Sequence, residues 1–268
     1  MTAHRDLIVD QFTRQAVPFS TAPGIRDPER LRILVEFAGA TAEDIVLDVA
    51  CGPGLVVAAF APVVHDVTGI DVTPAMIERA RALAAERGLA NVTWRVGDVV
   101  PLPYADGTFS LVVSRFAFHH FPDPLVVLRE MCRVCAPGGR VVVADVVASP
   151  DAARAAAFNR METLRDPSHV RALALAELSA LFAAAGLPAP RTGFSEVRSD
   201  VDGLLERSFP APGDADVIRR MFVESLADDG LGLGARRDGE RILFAYPVAM
   251  LSAAVSPPRT QSGMPTPR

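Results

Sequence analysis

The stretch VLDVACGPGL places a carboxylate directly ahead of a glycine-rich turn. Asp48 lies near the end of an apolar, β-branched run, and Gly52 and Gly54 follow on either side of a proline. Glycines at such a turn allow the main chain to approach a ligand, because no Cβ stands in the way. A second acid, Asp71, ends the next apolar run, where an acid can accept hydrogen bonds from ribose hydroxyls. The spacing predicts a cofactor that contains a ribose.

Two classes of cofactor are compatible with this turn. A nicotinamide dinucleotide fits a G-x-G-x-x-G motif, but the third glycine is absent after Gly54, and the carboxylate of Asp48 would repel a pyrophosphate over the turn. S-adenosylmethionine has no phosphate and carries an ammonium and a sulfonium. Unit charges 4 Å apart interact by about 4 kcal/mol at an intermediate dielectric constant. The sign of this interaction favours S-adenosylmethionine; the alternative is that Asp48 only caps its strand.

Regular alternation of strands and helices surrounds these residues. Short, β-branched runs predict strands at Ile45–Val49, Val67–Ile70, Val92–Val96, Phe109–Ser114 and Arg140–Val146. Helices are predicted from Thr73, as N-cap, to Gly88, and from about Pro124 to Cys135. This alternation predicts a parallel sheet with helices on both faces.

The flanking segments are less regular. Residues 1–40 are predicted to form a helical cap segment, with a break at VPFSTAPG, and residues 41–253 a Rossmann-like domain with a cap insertion at about 150–170. Within that domain we expect a helix over LAELSALFAAAG, a strand near Thr192–Arg198, a polar helical stretch to Asp228 and a last strand near Arg241–Tyr246. Residues 254–268 are rich in Pro, Ser and Thr and are predicted to be disordered.

Four segments, in order, resemble the motifs of class I S-adenosylmethionine-dependent methyltransferases. VLDVACGPG resembles the glycine motif, and VTGIDVTPAMIERAR the acid-bearing second strand with its helix. VGDVVPLPYADGTFSLVVS resembles the third-strand acid with the fourth strand, and HHFPDPLVVLREMCRVCAPGGRVVVAD the loop and turn that lead into strand five. The resemblance covers roughly residues 30–190 and points to the UbiE-like branch of ubiquinone and menaquinone biosynthesis. It implies an α/β fold with a mostly parallel seven-stranded sheet, helices on both faces and a helical substrate cap.

The resemblance also implies a cofactor site. It assigns the methionine end to Asp48, Ala50, Cys51, Gly52 and Gly54, the ribose to Asp71, the adenine to Val72, Met76, Asp98 and Val99, and the methyl-donor end to the backbone of Ser114. Met76 could instead belong to the helix core, and Asp98 could be a turn acid.

Two adjacent histidines follow the fourth strand, on the side where the donor methyl is expected. Histidine titrates near physiological pH and suits a general base. In the small-molecule O-methyltransferases that the chain resembles, a histidine here can pair with an acid at the end of strand five, which is Asp145. We expect His119, rather than His120, to reach the acceptor. The alternative is that both histidines only stabilise the loop before FPDP.

The acceptor is expected under a lid formed by the N-terminal segment and the insertion after strand five. The candidate substrate residues are Phe12, Arg14, Phe19, Arg160, Met161, Arg165 and His169. Aromatic rings and arginines suit a planar, oxygenated acceptor such as a quinol, phenol or polyketide. The run RDPSHVR could instead be a solvated helix end.

Composition excludes several other functions. The 268 residues carry a net charge of −5 and contain no lysine, which excludes a P-loop lysine and a lysine Schiff base, and no basic cluster predicts a nucleic-acid partner. The N-terminus lacks the apolar region of a signal peptide, and no apolar run is long enough to span a membrane, so we expect a soluble, cytoplasmic protein. Three cysteines argue against a disulfide framework, and Cys132 and Cys135 are expected to be structural. No metal site is predicted.

The sequence therefore predicts a methyltransferase that uses S-adenosylmethionine and acts on a small molecule, with O-methylation preferred. A quinol-ring C-methyltransferase is the alternative within the same class. Two alternatives belong to other classes: a protein that binds S-adenosylmethionine without methyl transfer, and a nicotinamide-dependent reductase.

Overall fold

The β-branched runs between residues 45 and 146 form the parallel strands that the sequence predicts. A computed structural model describes residues 2–256. Its strands are β1 Ile45–Val49, β2 Asp66–Asp71, β3 Val92–Val96, β4 Phe109–Arg115, β5 Cys135–Val146, β6 Arg191–Asp200, β7 Arg236–Asp238 and β8 Arg241–Ala254. Seven of them follow the order β3-β2-β1-β4-β5-β8-β6, and the short β7 pairs with β8. The first five strands are parallel, and β8 runs antiparallel to both β5 and β6.

The helices are α1 Thr2–Thr21, α2 Pro23–Arg26, α3 Pro28–Ala38, α4 Leu55–Phe60, α5 Pro74–Glu86, α6 Pro124–Val134, α7 Ala152–Arg165, α8 Leu175–Ala184, α9 Val201–Ser208 and α10 Asp214–Asp228, with a short 3₁₀ helix at Phe118–His120. None of the helices within residues 2–256 has both the length and the apolar character that a membrane crossing requires.

The strands bury side chains on both faces of the sheet, because successive residues point to opposite sides. Leu47 contributes to a core shared with α6 and α8, whereas its neighbour Val46 contributes to a core shared with α3, α4 and α5. Cys135 is buried in the first core, with Cys132 packed against it, and burial raises the pKa of these thiols to about 12 and about 11. Both therefore remain protonated, as expected for structural cysteines.

A third core lies in the cap, which is larger than predicted. Phe158 of α7 packs with Leu204 of α9 and with Ile218 and Phe222 of α10, so the cap includes residues well beyond the predicted insertion at 150–170. The sequence did not indicate this, because α9 and α10 bury their apolar residues against elements far apart in the chain, including α7 and β8. In all other respects, the boundaries between the cap segment, the Rossmann-like domain and the tail remain predictions.

The break in the N-terminal helical segment falls within VPFSTAPG, as the sequence predicts. Helix α1 continues through Pro18 and ends at Thr21. Ala22 then adopts an extended conformation, with φ −59° and ψ 120°, because it precedes Pro23, whose ring disfavours the helical region for the residue before it. The second proline, rather than the first, thus ends the helix.

The start of β5 and the end of β8 differ most from the predicted strand boundaries. Strand β5 begins at Cys135 rather than Arg140, because the turn residues of APGG are absorbed into an irregular start opposite β4. Strand β8 continues to Ala254, since it must pair with β5 along its second half. Val255 then exchanges hydrogen bonds with Gly138 and Gly139, so the first residues of the predicted disordered tail are ordered. Residues 257–268 of that tail lie outside the described part of the chain.

Candidate active site

A cavity of about 530 Å³ opens at the carboxyl ends of the central strands. The strand order reverses between β1 and β4, which is where open α/β sheets form a ligand-binding crevice. Asp71, the last residue of β2, ties this edge together: its carboxylate accepts from the Gly52 N–H at 2.8 Å and from the Thr73 N–H at 2.8 Å. The turn after β1 and the start of α5 are thereby held beside each other.

Eight of the eleven predicted cofactor residues border this cavity, and three do not. Those that border it are Ala50, Cys51, Gly52, Asp71, Val72, Met76, Asp98 and Val99. Asp48 and Ser114 are buried beneath the cavity edge, and the Ser114 hydroxyl donates to the Val49 carbonyl at 2.9 Å. The third, Gly54, packs closely against Trp94 and Ala80.

Asp48 is a buried carboxylate without a partner. It is 1% exposed, and neither carboxylate oxygen makes a hydrogen bond within the described residues. Burial, followed by the nearby charge of Asp71, raises its pKa well above the usual range, and the charge of Arg115 opposes this only in part. Burial likewise lowers the pKa of Arg115, to about 10. An unpaired buried anion is expensive, so this site suits a ligand that brings positive charge.

The two glycines of the turn have different roles. At Gly52, with φ +52°, an added Cβ would meet nothing within 4 Å, so the main chain borders open space. At Gly54, with φ +80°, a Cβ would lie 2.6 Å from the Trp94 ring and 2.8 Å from the Ala80 Cβ. The close approach that Gly54 permits is therefore between β1, β3 and α5, which differs from the cofactor contact expected for it.

Two residues other than glycine have a positive φ at this cavity. Ala50 and Phe116 both have φ 57° and both border it. Backbone strain of this kind costs about 1–3 kcal/mol and concentrates at functional sites, where the surrounding structure maintains it. The Phe116 ring also carries the guanidinium of Arg115 stacked 4.2 Å from its centroid.

Helix α1 covers the cavity from above the sheet. His4, Arg5 and Phe12 border it, and Arg5 lies 3.8 Å from the carboxylate of Asp98. The other oxygen of Asp98 accepts from the Val99 N–H at 2.7 Å, so this acid both shapes the turn and reaches the cavity.

A second, inner cavity of about 120 Å³ adjoins the first. The two share a wall made of Phe12, Phe19, Ile25, Phe116 and His120. Phe12 meets His120 edge to face, with ring centroids 5.0 Å apart. The wall brings an N-terminal helix, the end of β4 and the loop after it to one place.

His119 and Asp145 form a buried pair on the inner cavity. The Asp145 carboxylate accepts from Nδ1 of His119 at 2.6 Å and from the His119 backbone N–H at 3.1 Å. Burial would lower the pKa of His119, but the charge of Asp145 and this hydrogen bond outweigh burial and raise it. The arrangement fixes the tautomer and leaves Nε2 as the atom able to take a proton.

His120 has a different environment. Its Nδ1 lies 3.0 Å from the Ser168 carbonyl, so that nitrogen carries the hydrogen and Nε2 is an acceptor. Burial, followed by the charge of His119, lowers its pKa to about 3. His120 is therefore neutral at physiological pH, and it borders both cavities, whereas His119 borders only the inner one.

Three of the seven predicted substrate residues border a cavity: Phe12, Phe19 and Arg165. Arg14 and Arg160 point to solvent, and Arg14 pairs with Asp10 along the outer face of α1. Met161 is fully buried in the cap core. These corrections have one cause, since helical periodicity turns neighbouring residues of α1 and α7 toward solvent or toward the core.

His169, the remaining substrate candidate, packs near His119 without reaching a cavity. It is 5% exposed, and its Nε2 lies 2.8 Å from the Asn159 side-chain oxygen. Its ring is 5.5 Å from that of His119. It borders neither cavity.

Several site residues were not found from the sequence. They are Gln15, Ile25, Arg115, Phe116, Glu162, Arg207 and Tyr246. Arg115 and Phe116 could have been identified, because they directly follow Ser114 at the end of β4. Glu162 accepts from the Tyr246 hydroxyl at 2.7 Å across 84 residues of sequence, a pairing that no local signal indicates.

These features fit S-adenosylmethionine. The unpaired carboxylate of Asp48 suits a cation, Gly52 leaves main chain open to the cavity, and Asp71 retains lone pairs for hydroxyls. The carboxylate of Asp48 below the turn would repel a pyrophosphate, which disfavours a dinucleotide.

Comparisons with known proteins agree. A family model described as a methyltransferase domain matches residues 47–143. The Uncharacterized methyltransferase YcgJ of Bacillus subtilis is 35% identical over 242 residues, which cover 90% of this chain and 96% of that protein. The crystal structure of YcgJ superposes with a TM-score of 0.78 at 28% identity, covering 86% of this chain and 99% of that one.

A shorter match points to the branch that the motifs resemble. The ubiquinone/menaquinone biosynthesis C-methyltransferase UbiE of Bdellovibrio bacteriovorus is 40% identical over 114 residues, which cover 42% of this chain and 48% of that protein. Together with the match along nearly the whole of YcgJ, this confirms the resemblance seen in the sequence. The chain belongs to the class I S-adenosylmethionine-dependent methyltransferases, and S-adenosylmethionine is its cofactor.

Proposed function

We propose that the protein transfers a methyl group from S-adenosylmethionine to an oxygen atom of a small molecule, such as a phenol, quinol or polyketide of secondary metabolism, in the cytoplasm. One observation carries the proposal. The buried His119–Asp145 pair borders an inner cavity that shares a wall with the cofactor cavity. A base beside the acceptor is what methylation of a hydroxyl needs.

Placement supplies most of the acceleration in this reaction. S-adenosylmethionine provides an electrophilic methyl group on a good leaving group. The residues of the shared wall orient the acceptor, and correct alignment of two reactants is worth up to roughly 7–11 kcal/mol. Phe12, Phe19 and Phe116 supply flat apolar surface there, which suits an aromatic acceptor and excludes water.

His119 receives the proton of the acceptor hydroxyl at Nε2 as the new carbon–oxygen bond forms. Asp145 holds Nδ1–H and stabilises the imidazolium that results. His120 is neutral, so its Nε2 accepts a hydrogen bond from the hydroxyl and orients it without becoming charged. The two adjacent histidines thus divide orientation and proton transfer between them.

The experiment uses the purified protein, labelled S-adenosylmethionine and a panel of phenols, quinols and polyketides. His119→Ala is expected to lower kcat by roughly 10²- to 10⁴-fold, the usual contribution of a general base, while the affinity for S-adenosylhomocysteine stays within about twofold because His119 does not border that cavity. His65→Ala, at an exposed histidine directly before β2 and at the opposite end of that strand from the site, is the matched control and should retain activity.

The results separate the alternatives. Equal losses of turnover and cofactor affinity in His119→Ala would remove its role as base. Methyl groups found on ring carbons by NMR would support the quinol-ring C-methyltransferase. Tight cofactor binding with no transfer to any acceptor would support a protein that uses the cofactor without methylation.

A further inference from the structure

A wide, open groove of about 820 Å³ adjoins the inner cavity. It is formed by the edge strand β6 and its neighbour β8, with the start of β7. Four residues border both the groove and the inner cavity: Gly24, Arg198, Ser199 and Arg207. None of these four borders the cofactor cavity, so the groove gives an acceptor a route to the inner cavity that does not cross the cofactor site.

The groove is positively charged although the chain has a net charge of −5. Its charged residues are Arg198, Arg207, Arg236 and Arg241 against Glu196 and Asp200. The two acids are already engaged, since Glu196 lies 2.6 Å from Arg198 and Asp200 lies 3.0 Å from Arg241. Within residues 2–256, Arg207 and Arg236 have no carboxylate within 4 Å, and Arg207 is the one that reaches the inner cavity.

Arg207 is half-buried and has unused donors. One guanidinium nitrogen donates to the Ser199 hydroxyl at 3.0 Å, whereas a guanidinium has five N–H groups. Two other arginines border the inner cavity: Arg165 lies 2.6 Å from Glu162 and 3.9 Å from Asp166, and Arg198 lies 2.6 Å from Glu196. Among residues 2–256, Arg207 is the arginine of the junction without a carboxylate within 4 Å, although Asp200 is near enough for the two charges to interact.

The size of the inner cavity limits what it can hold. At about 120 Å³ it is several times smaller than the cofactor cavity of about 530 Å³ or the groove of about 820 Å³. It accommodates the reacting end of an acceptor, and the remainder of the molecule must lie in the junction and groove. A planar guanidinium at that junction matches the two oxygens of a carboxylate or phosphate.

We propose that Arg207 binds a carboxylate or phosphate group of the acceptor, so that the substrate is an elongated anion whose methylated end lies beside His120. This inference rests on the proposed function, because it names the class of its acceptor. The groove would then attract the anionic acceptor toward the narrower inner cavity, because its wide surface is positively charged.

The test is isothermal titration at low salt with two probes, benzoate and orthophosphate, in the presence of saturating S-adenosylhomocysteine. Arg207→Gln should weaken binding of the recognised anion by roughly tenfold to a hundredfold and leave the affinity for S-adenosylhomocysteine unchanged. Arg207→Lys keeps the charge and should lose less. Arg87→Gln removes the same charge from an exposed position that borders none of the three cavities, and should bind the anion as the wild type does.

The outcomes distinguish this inference from the proposed function. Failure of the wild type to bind S-adenosylhomocysteine would overturn both. Binding of S-adenosylhomocysteine without either anion, or with equal anion affinity in Arg207→Gln, would overturn the Arg207 site alone. Binding of benzoate but not orthophosphate identifies a carboxylate, and the reverse identifies a phosphate. Thermal unfolding of each variant confirms that it is folded.

Discussion

Replacing Asp48 by Asn tests the electrostatic basis of the cofactor site. The side chain keeps its size and loses its charge at a position where both oxygens are buried and unpaired. We expect two opposite effects: the free protein becomes more stable, and the cofactor binds more weakly. Few substitutions of a buried polar residue are expected to raise stability, so the combination is diagnostic.

The gain in stability follows from the sign of the pKa shift. A carboxyl whose pKa is raised on folding binds protons more tightly in the folded state, so it destabilises the protein increasingly as pH rises above its unfolded pKa. Because protonation limits the penalty, it cannot exceed about 4 kcal/mol at pH 7 for a group with an ordinary pKa near 4. An unsatisfied amide still costs about 1–3 kcal/mol. We therefore expect a net gain of about 1–3 kcal/mol, or about 2–10 °C in Tm.

The loss of affinity follows from Coulomb's law. A cation about 4 Å from the carboxylate is stabilised by about 4 kcal/mol at an effective dielectric constant of 20. Part of this remains as dipole interaction with the amide, so we expect the Kd for S-adenosylmethionine to rise by roughly 30- to 300-fold. S-adenosylhomocysteine lacks the sulfonium charge. If the sulfonium is the group that Asp48 attracts, its affinity falls less.

Asp44, the residue directly before β1, provides the matched control. It is also buried, but its carboxylate accepts from the Thr41 N–H at 2.8 Å and the Ser110 hydroxyl at 2.6 Å, and it pairs with Arg140 at 2.5 Å. Asp44→Asn should therefore destabilise the protein by about 1.5–3 kcal/mol without changing cofactor affinity. For each variant, urea unfolding gives the free energy of unfolding and isothermal titration gives the Kd for S-adenosylmethionine. A loss of stability in Asp48→Asn like that in Asp44→Asn, with unchanged affinity for S-adenosylmethionine, would refute the reasoning.

The remaining predictions concern backbone space and acid stability. Gly54→Ala should lower the free energy of unfolding in urea by about 2–5 kcal/mol, because the Cβ would meet Trp94. Gly52→Ala should lower it by only about 1–2 kcal/mol but should weaken cofactor binding, measured by isothermal titration. The reverse ranking of the two variants would contradict these assignments. Burial, followed by the charge of His119, lowers the pKa of His120 to about 3 and of His169 to about 4. The unfolded chain then binds more protons, so stability falls as pH drops below about 6.5, by roughly 1.4 kcal/mol per pH unit for each histidine. His169→Gln should flatten the pH dependence of the urea midpoint, and an unchanged slope would show that His169 is not buried in its neutral form.

The cofactor half of the site was largely predictable, because its residues follow the ends of consecutive strands. A parallel strand, a turn and a helix leave a periodic signal in the sequence, and the acid that ends β2 lies beside the turn after β1 through pairing of adjacent strands. The placement of Asp71 next to Gly52 follows from that pairing. Gly54 was predicted to border the cofactor, but the ring of Trp94 lies 40 residues away in sequence and gave no local sign that it fills this space.

The acceptor half was less predictable, because its residues come from elements far apart in the chain. Phe12 and Phe19 were identified, yet Arg207 and Tyr246 reach the inner cavity from α9 and β8. On α7, Arg160, Met161 and Arg165 were treated as one group, although the helical turn sends them respectively to solvent, core and cavity. Which face of a cap helix meets the site depends on tertiary packing, which the sequence pattern of one helix does not contain.

The proposed division of labour between the two histidines is consistent with the positive charge of the donor. His120 borders the cofactor cavity, and a protonated imidazole there would repel a sulfonium. Burial, followed by the charge of His119, lowers the pKa of His120 to about 3 and keeps this wall neutral. His119 gains basicity from Asp145, and it borders only the inner cavity, so the charge that it acquires lies on the acceptor side. In the proposed mechanism, Asp145 stabilises the charge that His119 acquires when Nε2 takes up a proton, and the neutral ring of His120 borders the cofactor cavity beside a cationic donor.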